Sequence, residues 1–224
     1  MRNRLVSSLP LSLSLAALAL AGTEAARADD PPPPASATTS TPAADSQGNG
    51  ASLADPHKQA LLKEVQRYAT PDQHHEVLKM LVGKWTTTAK HYSEGGSKPE
   101  RVTGHDQTEV ILDGRFVEDH YDSIIWGNRY SGQGTLGYDL REQQYVLSWV
   151  DNWGSWITVA KGNADATNHI ITLSTRDYDN PAGKTRPTRY IITIDDNDKH
   201  SRRVYEKVDG KETLTMEIEY RRAK

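Results

Sequence analysis

The chain of 224 residues contains no cysteine. That excludes disulfides as a source of stability and thiolates as zinc ligands. It has one phenylalanine, so aromatic packing falls to five tryptophans and ten tyrosines. A basic surplus is also missing: 27 Lys and Arg stand against 30 Asp and Glu, a net charge of −3. Without a basic stripe the surface suits phosphate backbones poorly, and nucleic acid is not an expected partner. Long apolar runs are absent with one exception. Leu5 to Ala21 is apolar apart from scattered serines and Pro10, and Arg2 and Arg4 precede it. Ala26-Arg27-Ala28 supplies a small-x-small cleavage site. Residues 1–28 therefore read as a secretory signal peptide. The run is short for a ~30 Å hydrocarbon core, and no cysteine follows it to take a lipid anchor. The expected location is periplasmic or secreted, with no membrane span after cleavage. Losing Arg2, Arg4, Arg27 and Glu24 moves the net charge from −3 to −5.

Residues 29–56 read as a linker. Pro31 to Pro34 are consecutive, and Ala, Ser, Thr, Pro and Gly dominate as far as Asn49-Gly50. Such composition buries too little apolar surface to offset ordering entropy. The folded part is expected from about residue 57 to the end.

His57 to Ala69 carries Leu61, Val65 and Tyr68 at helical spacing, widened by Leu62. A second helix is expected to open at Thr70-Pro71-Asp72-Gln73, with Thr70 as cap and Gln73 completing a capping box. It stops at Gly83. From Trp85 the period becomes two. Ten strands are expected near 84–92, 101–112, 115–123, 130–138, 144–151, 155–162, 169–177, 188–195, 201–208 and 211–222. Asp113-Gly114 and Asp209-Gly210 are hairpin signals. Glu94-Gly95-Gly96 and Asn180 to Gly183 mark further turns. No helix-sized insert interrupts the series, so consecutive strands pair. Closing the sheet removes its two bare edges. The expected fold is all-β: an antiparallel up-and-down barrel of about ten strands with one or two N-terminal helices.

Alternation assigns faces. In the last strand Leu214, Met216, Ile218 and Tyr220 share the core-facing parity, and Arg222 shares it too. If the first and last strands close the barrel, Arg222 comes onto Trp85. A two-residue loop at Asp209-Gly210 then sets Tyr205 opposite Leu214 and Arg203 opposite Met216. Opposed residues share a face, so Arg203 and Tyr205 are expected either to line the interior as an anchor for a carboxylate or, in a slipped register, both to lie outside. The hairpin at Asp113-Gly114 sets Glu109 opposite Glu118 and Gln107 opposite His120, with His105 on the same side. His105, Glu118 and His120 are the candidates for acid–base work. The other face, with Val102, Thr108, Val110, Val117 and Tyr121, is more core-like. A four-residue loop after Asp151 sets Trp149 opposite Trp156, where the two could stack on a ligand or fill one barrel end. Trp126 joins them at an open mouth. His74 and His75 are adjacent on a helix and diverge by about 100°, which suits a structural role better than one shared metal ion. No nucleophile elbow, phosphate loop or zincin motif is present.

The motifs His75-x-x-Leu78-x-x-Leu81-Val82-Gly83-x-Trp85, Gly114-Arg115-Phe116, Leu136-Gly137-Tyr138-Asp139, Tyr145-x-x-x-Trp149-x-Asp151 and Tyr220-Arg221-Arg222 occur in this order. Together they resemble the bacterial domain-of-unknown-function family 1579, over about residues 72–222. The resemblance implies a lipocalin or calycin barrel, in which a Trp–Arg pair like Trp85 with Arg222 closes one end. It implies no activity. Nitrobindin-like barrels hold haem through a late histidine; the late histidine here, His200, falls in an expected turn, and no cofactor is expected. Fatty-acid-binding proteins carry an inward Arg-x-Tyr on the final strand. Arg203-Val204-Tyr205 resembles it one strand earlier.

The leading expectation is an exported barrel binding a small apolar or amphipathic ligand through Arg203, Tyr205, Trp149 and Trp156, with Trp85 and Arg222 structural. The alternatives are a hydrolase or isomerase on the His105, Glu118 and His120 face, and an envelope interaction module without a small ligand.

Overall fold

The computed structural model describes residues 55–93, 98–179 and 184–224. The leader, nearly all of the linker, and the turns expected at 94–96 and 180–183 lie outside the described residues. Pro56–Ala69 forms helix α1, whose Leu61, Leu62, Val65 and Tyr68 are exposed. Among the described residues no helix is long and apolar enough to cross a membrane.

Gln73–Lys79 forms helix α2. Its cap is Asp72, not Thr70. The Asp72 carboxylate accepts from the His74 N–H at 2.9 Å, and the Asp72 N–H donates to His75 Nδ1 at 3.0 Å. This is a capping box with histidine in the role expected of Gln73. Thr70 stays with α1, since its N–H and hydroxyl both donate to the Gln66 carbonyl.

Ten strands follow: β1 (Gly83–His91), β2 (Glu100–Ile111), β3 (Phe116–Ile125), β4 (Asn128–Asp139), β5 (Gln144–Asp151), β6 (Thr158–Ala164), β7 (Ile170–Asp179), β8 (Lys184–Asp196), β9 (Lys199–Val208) and β10 (Lys211–Arg222). Each pairs antiparallel with its sequence neighbours, and β1 pairs with β10 to close the ring. Closure leaves no unpaired edge. Period-two burial identifies the inner wall. Residues 85, 87 and 89 of β1, 102 to 108 of β2 in steps of two, and 117 to 125 of β3 in steps of two point inward.

One end is plugged by α2. Its Val77 and Leu78, with Leu81 just beyond, pack among Val117, Leu136, Tyr145, Leu147, Ile171, Leu173, Ile192 and Ile194. At the same end Trp85 pairs in register with Arg222, whose Cζ lies 4.4 Å from the indole centroid. Trp85 Nε1 donates to the Leu81 carbonyl at 2.9 Å, and Arg222 Nη1 donates to the Val82 carbonyl at 3.2 Å. Gly83 has φ +147°, and a Cβ there would run into the Arg222 guanidinium. The glycine is therefore required twice, by its backbone angle and by its neighbour.

The last hairpin departs from strict alternation once. A β-bulge lies between Leu214 and Met216. Leu214 pairs with Tyr205 as expected, but Met216 pairs with Val204 and Glu217 with Arg203. One extra residue in β10 turns its outer half over relative to a regular ladder. Consequently Val204, Arg202 and His200 point inward, whereas Arg203 and Tyr205 point out. Arg203 Nε donates to Glu217 Oε1 at 2.9 Å on the outer face. The Arg189 guanidinium lies 4.7 Å from the Tyr205 ring centroid. The inward anchor expected from Arg203 and Tyr205 is thus not formed.

Candidate functional site

The inner wall carries an unusual share of polar side chains. Arg202 on β9 reaches across the lumen to β3, where its Nη1 donates to Asp119 Oδ2 at 2.9 Å. Asp119 is buried. Asp106, buried on β2, accepts from the Thr108 hydroxyl at 2.9 Å. Several polar atoms of this wall have no protein partner: Thr87 Oγ1, Asp106 Oδ1, Asp119 Oδ1, Ser123 Oγ and Arg202 Nε. Buried polar groups are nearly always paired, so five orphans on one wall need an explanation.

The electrostatics follow from burial. Burial raises the Asp106 carboxyl to about 6, with Asp119 adding to it and Arg202 opposing it. Burial also opposes the charge on Arg202, but Asp119, Tyr220 and Asp106 outweigh it and hold its pKa above the arginine range. His200 lies on β9, not in a turn. It stacks on Tyr220 with ring centroids 4.1 Å apart and meets Trp85 edge-on at 4.5 Å. Burial, then Arg202 and Arg222, press its pKa down to about 2, so the imidazole is neutral.

Toward the other end the lumen wall is aromatic. Trp149 Nε1 donates to Asp151 Oδ2 at 3.2 Å and to Tyr130 OH at 3.3 Å, and Tyr130 OH donates to Asp151 Oδ2 at 3.2 Å. Burial, reinforced by Asp151, keeps the Tyr130 phenol protonated. Tyr121 meets Tyr130 edge-on at 5.9 Å, Tyr130 meets Trp153 at 5.4 Å, and Trp153 stacks with Trp126 at 6.1 Å. A line of rings thus runs from the exposed tip of the β3–β4 hairpin to Tyr121, the register partner of Asp106. Trp126 holds φ +51° at the first of two turn residues, with Gly127 at φ +77°. A bulky side chain is rare in that region, and such strain clusters at functional sites. Gly132 and Gly134 of β4 leave room for the Trp149 ring. Farther round, Asp177 accepts from the Thr158 hydroxyl at 3.2 Å and from the Tyr190 hydroxyl. Arg186 Nη1 lies 3.9 Å from Glu206 Oε2.

The remaining expected residues lie elsewhere. The β2–β3 register places Glu109 opposite Glu118 and Gln107 opposite His120, as the hairpin signal implied. That face is the outer one. His105 is exposed, and His120 meets Glu118 at 3.2 Å in the open, so the three do not form an enclosed acid–base site. Trp149 pairs with Thr158, not Trp156. The loop is longer than four residues because Asn152 continues along β4: its N–H donates to the Ser131 carbonyl and its side chain accepts from the Ser131 N–H. Trp156 is left partly exposed and folded over Gly154. Trp153 instead joins Trp126. At the α2 end a separate crevice of about 200 Å³ is lined by His74, Tyr138, Tyr145, Asn163 and Asp165 among others.

Sequence reasoning missed Asp106, Asp119 and Arg202. For the two aspartates the signal was present, since each shares parity with Val102 and Thr108 or with Val117 and Tyr121. A charge on an apolar parity marks a buried ion pair or polar network rather than a purely apolar core. Arg202 was hidden by the bulge.

A closed ten-strand up-and-down barrel with a helix across one end and a polar inner wall is a lipocalin or calycin-like barrel. The chain belongs to the family described as protein of unknown function (DUF1579), matched over residues 70–222. No protein of curated function matches it. Among solved structures it is similar to the S-type phycobiliprotein lyase CPES from Guillardia theta. That pair is 13% identical and aligns over 72% of this chain and 97% of the lyase, with a TM-score of 0.50. It also aligns with Rv2717c from M. tuberculosis at 13% identity, over 69% of this chain and 100% of that one, with a TM-score of 0.49. At 13% identity the likeness to the lyase is one of fold.

Proposed function

We propose that this is an exported barrel protein that binds a small amphipathic molecule inside its lumen without covalent chemistry. One observation carries the reading. The wall formed by Thr87, Asp106, Asp119, Ser123 and Arg202 is buried, polar and only partly satisfied. A barrel built for stability alone gains more from apolar filling than from an ion pair across its interior. Tyr121, Tyr130 and Trp149 supply the apolar surface beside that wall. The basic start, apolar run and Ala26-Arg27-Ala28 site support export of residues 29–224.

Native mass spectrometry of the protein purified from its own host tests the ligand. A noncovalent adduct that is lost in Trp149→Ala supports a lumen site. Protein that arrives ligand-free, and takes up nothing from a host extract, refutes it. The mature N-terminus of the same sample tests export, and a chain still beginning at Met1 would remove that part.

A further inference from the structure

We propose that the lumen selects a small organic cation, its charged head seated between Asp106 and Asp119 and its body against Tyr121, Tyr130 and Trp149. This rests on the lumen reading and adds the sign of the ligand. Among the described residues the inner wall presents five carboxylates, Asp106, Asp119, Asp151, Asp177 and Glu206, against three guanidiniums, Arg186, Arg202 and, at the closed end, Arg222. Arg202 is committed to Asp119. Asp177 and Asp151 are each held by hydroxyl or N–H donors. The unpartnered charged atoms are Asp106 Oδ1 and Asp119 Oδ1 against Arg202 Nε, and the neutral His200 ring adds one N–H donor and one acceptor. A carboxylate ligand would meet the like charge of Asp106 and Asp119 with Arg202 Nε as the unpartnered guanidinium nitrogen beside it. A cation would meet two unpartnered carboxylate oxygens in a low-dielectric wall, where their attraction is strongest.

Two observations independent of the acids fit a ligand head at this place, and the second favours a cation. Thr87 and Ser123 are more than nine-tenths buried, face inward, and have hydroxyl oxygens without partners. They flank Gly104 in register, beside Asp106, and each hydroxyl can turn its oxygen lone pairs toward a positive head. The rings of Tyr121, Tyr130 and Trp149 supply π faces, which attract a cation once it is desolvated. The fold already uses that attraction inside the barrel, where Arg202 Cζ lies 5.2 Å from the Tyr220 centroid.

The test uses three aromatic probes that differ in charge: benzyltrimethylammonium, benzyl alcohol and benzoate. Calorimetry and quenching of tryptophan fluorescence are read on the mature chain at pH 7.5. Benzyltrimethylammonium is expected to bind at least about tenfold more tightly than benzyl alcohol, with benzoate weakest. Asp106→Asn keeps the Arg202–Asp119 bridge, so it should fold, and an unchanged circular dichroism spectrum checks this. It should weaken the cation by about tenfold and leave benzyl alcohol unaffected. The probe cannot titrate, so any pH effect belongs to the wall. Asp106 is faced by Asp119 from β3, Arg202 from β9 and Tyr220 from β10, with His120 behind it on the outer side of β3. Affinity should rise between pH 5 and pH 7.5 as Asp106 ionises. Preferred binding of benzoate, or equal binding of all three, overturns the cation while leaving a lumen site standing. Cation binding indifferent to Asp106→Asn overturns the placement. Failure of all three probes, together with an unoccupied native protein, overturns both readings.

Discussion

Asp106→Asn should stabilise the protein, and only above the pH at which Asp106 titrates. The carboxyl is raised from 3.8 to about 6 in the folded chain. Below about pH 4 it is protonated in both the folded and unfolded states, and Asn mimics it. Between about 4 and 6 the folded state keeps the proton while the unfolded state releases it. Stability therefore falls as pH rises through that window. At 1.36 kcal/mol per unit the loss totals about 3 kcal/mol above pH 6. His200 acts in the opposite sense. Its folded pKa is about 2, so the unfolded state binds the extra proton below 6.5 and stability falls as pH drops. The two slopes offset each other between about 4 and 6. Subtracting variant from wild type removes His200, which is common to both. Urea denaturation at half-unit steps from pH 4 to pH 8 reads the difference. The variant should gain on the wild type from pH 4 upward and level off beyond pH 6, about 3 kcal/mol ahead of its starting difference. A difference that does not vary with pH, or a variant less stable at pH 8, would mean that Arg202 fully compensates the Asp106 charge. Either result refutes the assignment of a strained carboxylate.

Three further outcomes test the geometry. Gly134→Ala would place a Cβ 2.8 Å from Asp119 Oδ1 and 2.9 Å from Trp149 Cε3, so it should cost about 1–3 kcal/mol and shift the tryptophan emission; an unchanged melting curve counts against this packing. Trp126→Asn relieves a φ of +51° in a two-residue turn that favours Asn-Gly, so stability should stay within about 1 kcal/mol of wild type while capture of an aromatic probe weakens. Arg203→Ala removes only a half-exposed outer ion pair with Glu217 and should cost under about 1 kcal/mol with ligand binding intact, whereas Arg202→Met should alter binding. Equal effects from the two would contradict the β9 register.

Most of the fold was legible because it rests on short-range signals. The change of period at Trp85, the turn residues at Asp209-Gly210, and the lack of any helix-sized insert together require a closed antiparallel ring. The Trp85–Arg222 register pair followed from parity and closure alone. The site was less legible because faces depend on an unbroken count. Nothing in Thr213-Leu214-Thr215-Met216 announces a bulge: no glycine marks it, and the Thr215 hydroxyl donates to the Val204 carbonyl at 3.3 Å only once the strands have met. In β2 and β3, where no bulge intervenes, the count held and the inward aspartates stood in plain alternation with Val102 and Val117.

That single bulge also decides the chemistry of the interior. A regular ladder would turn Arg203 and Lys207 inward and leave Arg202 and Glu206 outside, which adds one cation to the lumen and removes one carboxylate. The observed ladder turns Glu206 inward with Arg202, and Arg202 is then absorbed by Asp119. The lumen becomes acidic, with Asp106 held in its charged form above pH 6 at a cost in stability. Such a cost is relieved by removing the charge or by supplying a counter-charge, and stability is commonly given up in this way where a site has a function. Saturating benzyltrimethylammonium should therefore raise the midpoint of wild-type unfolding at pH 7.5 more than that of Asp106→Asn. Equal shifts would separate the strain at Asp106 from ligand binding.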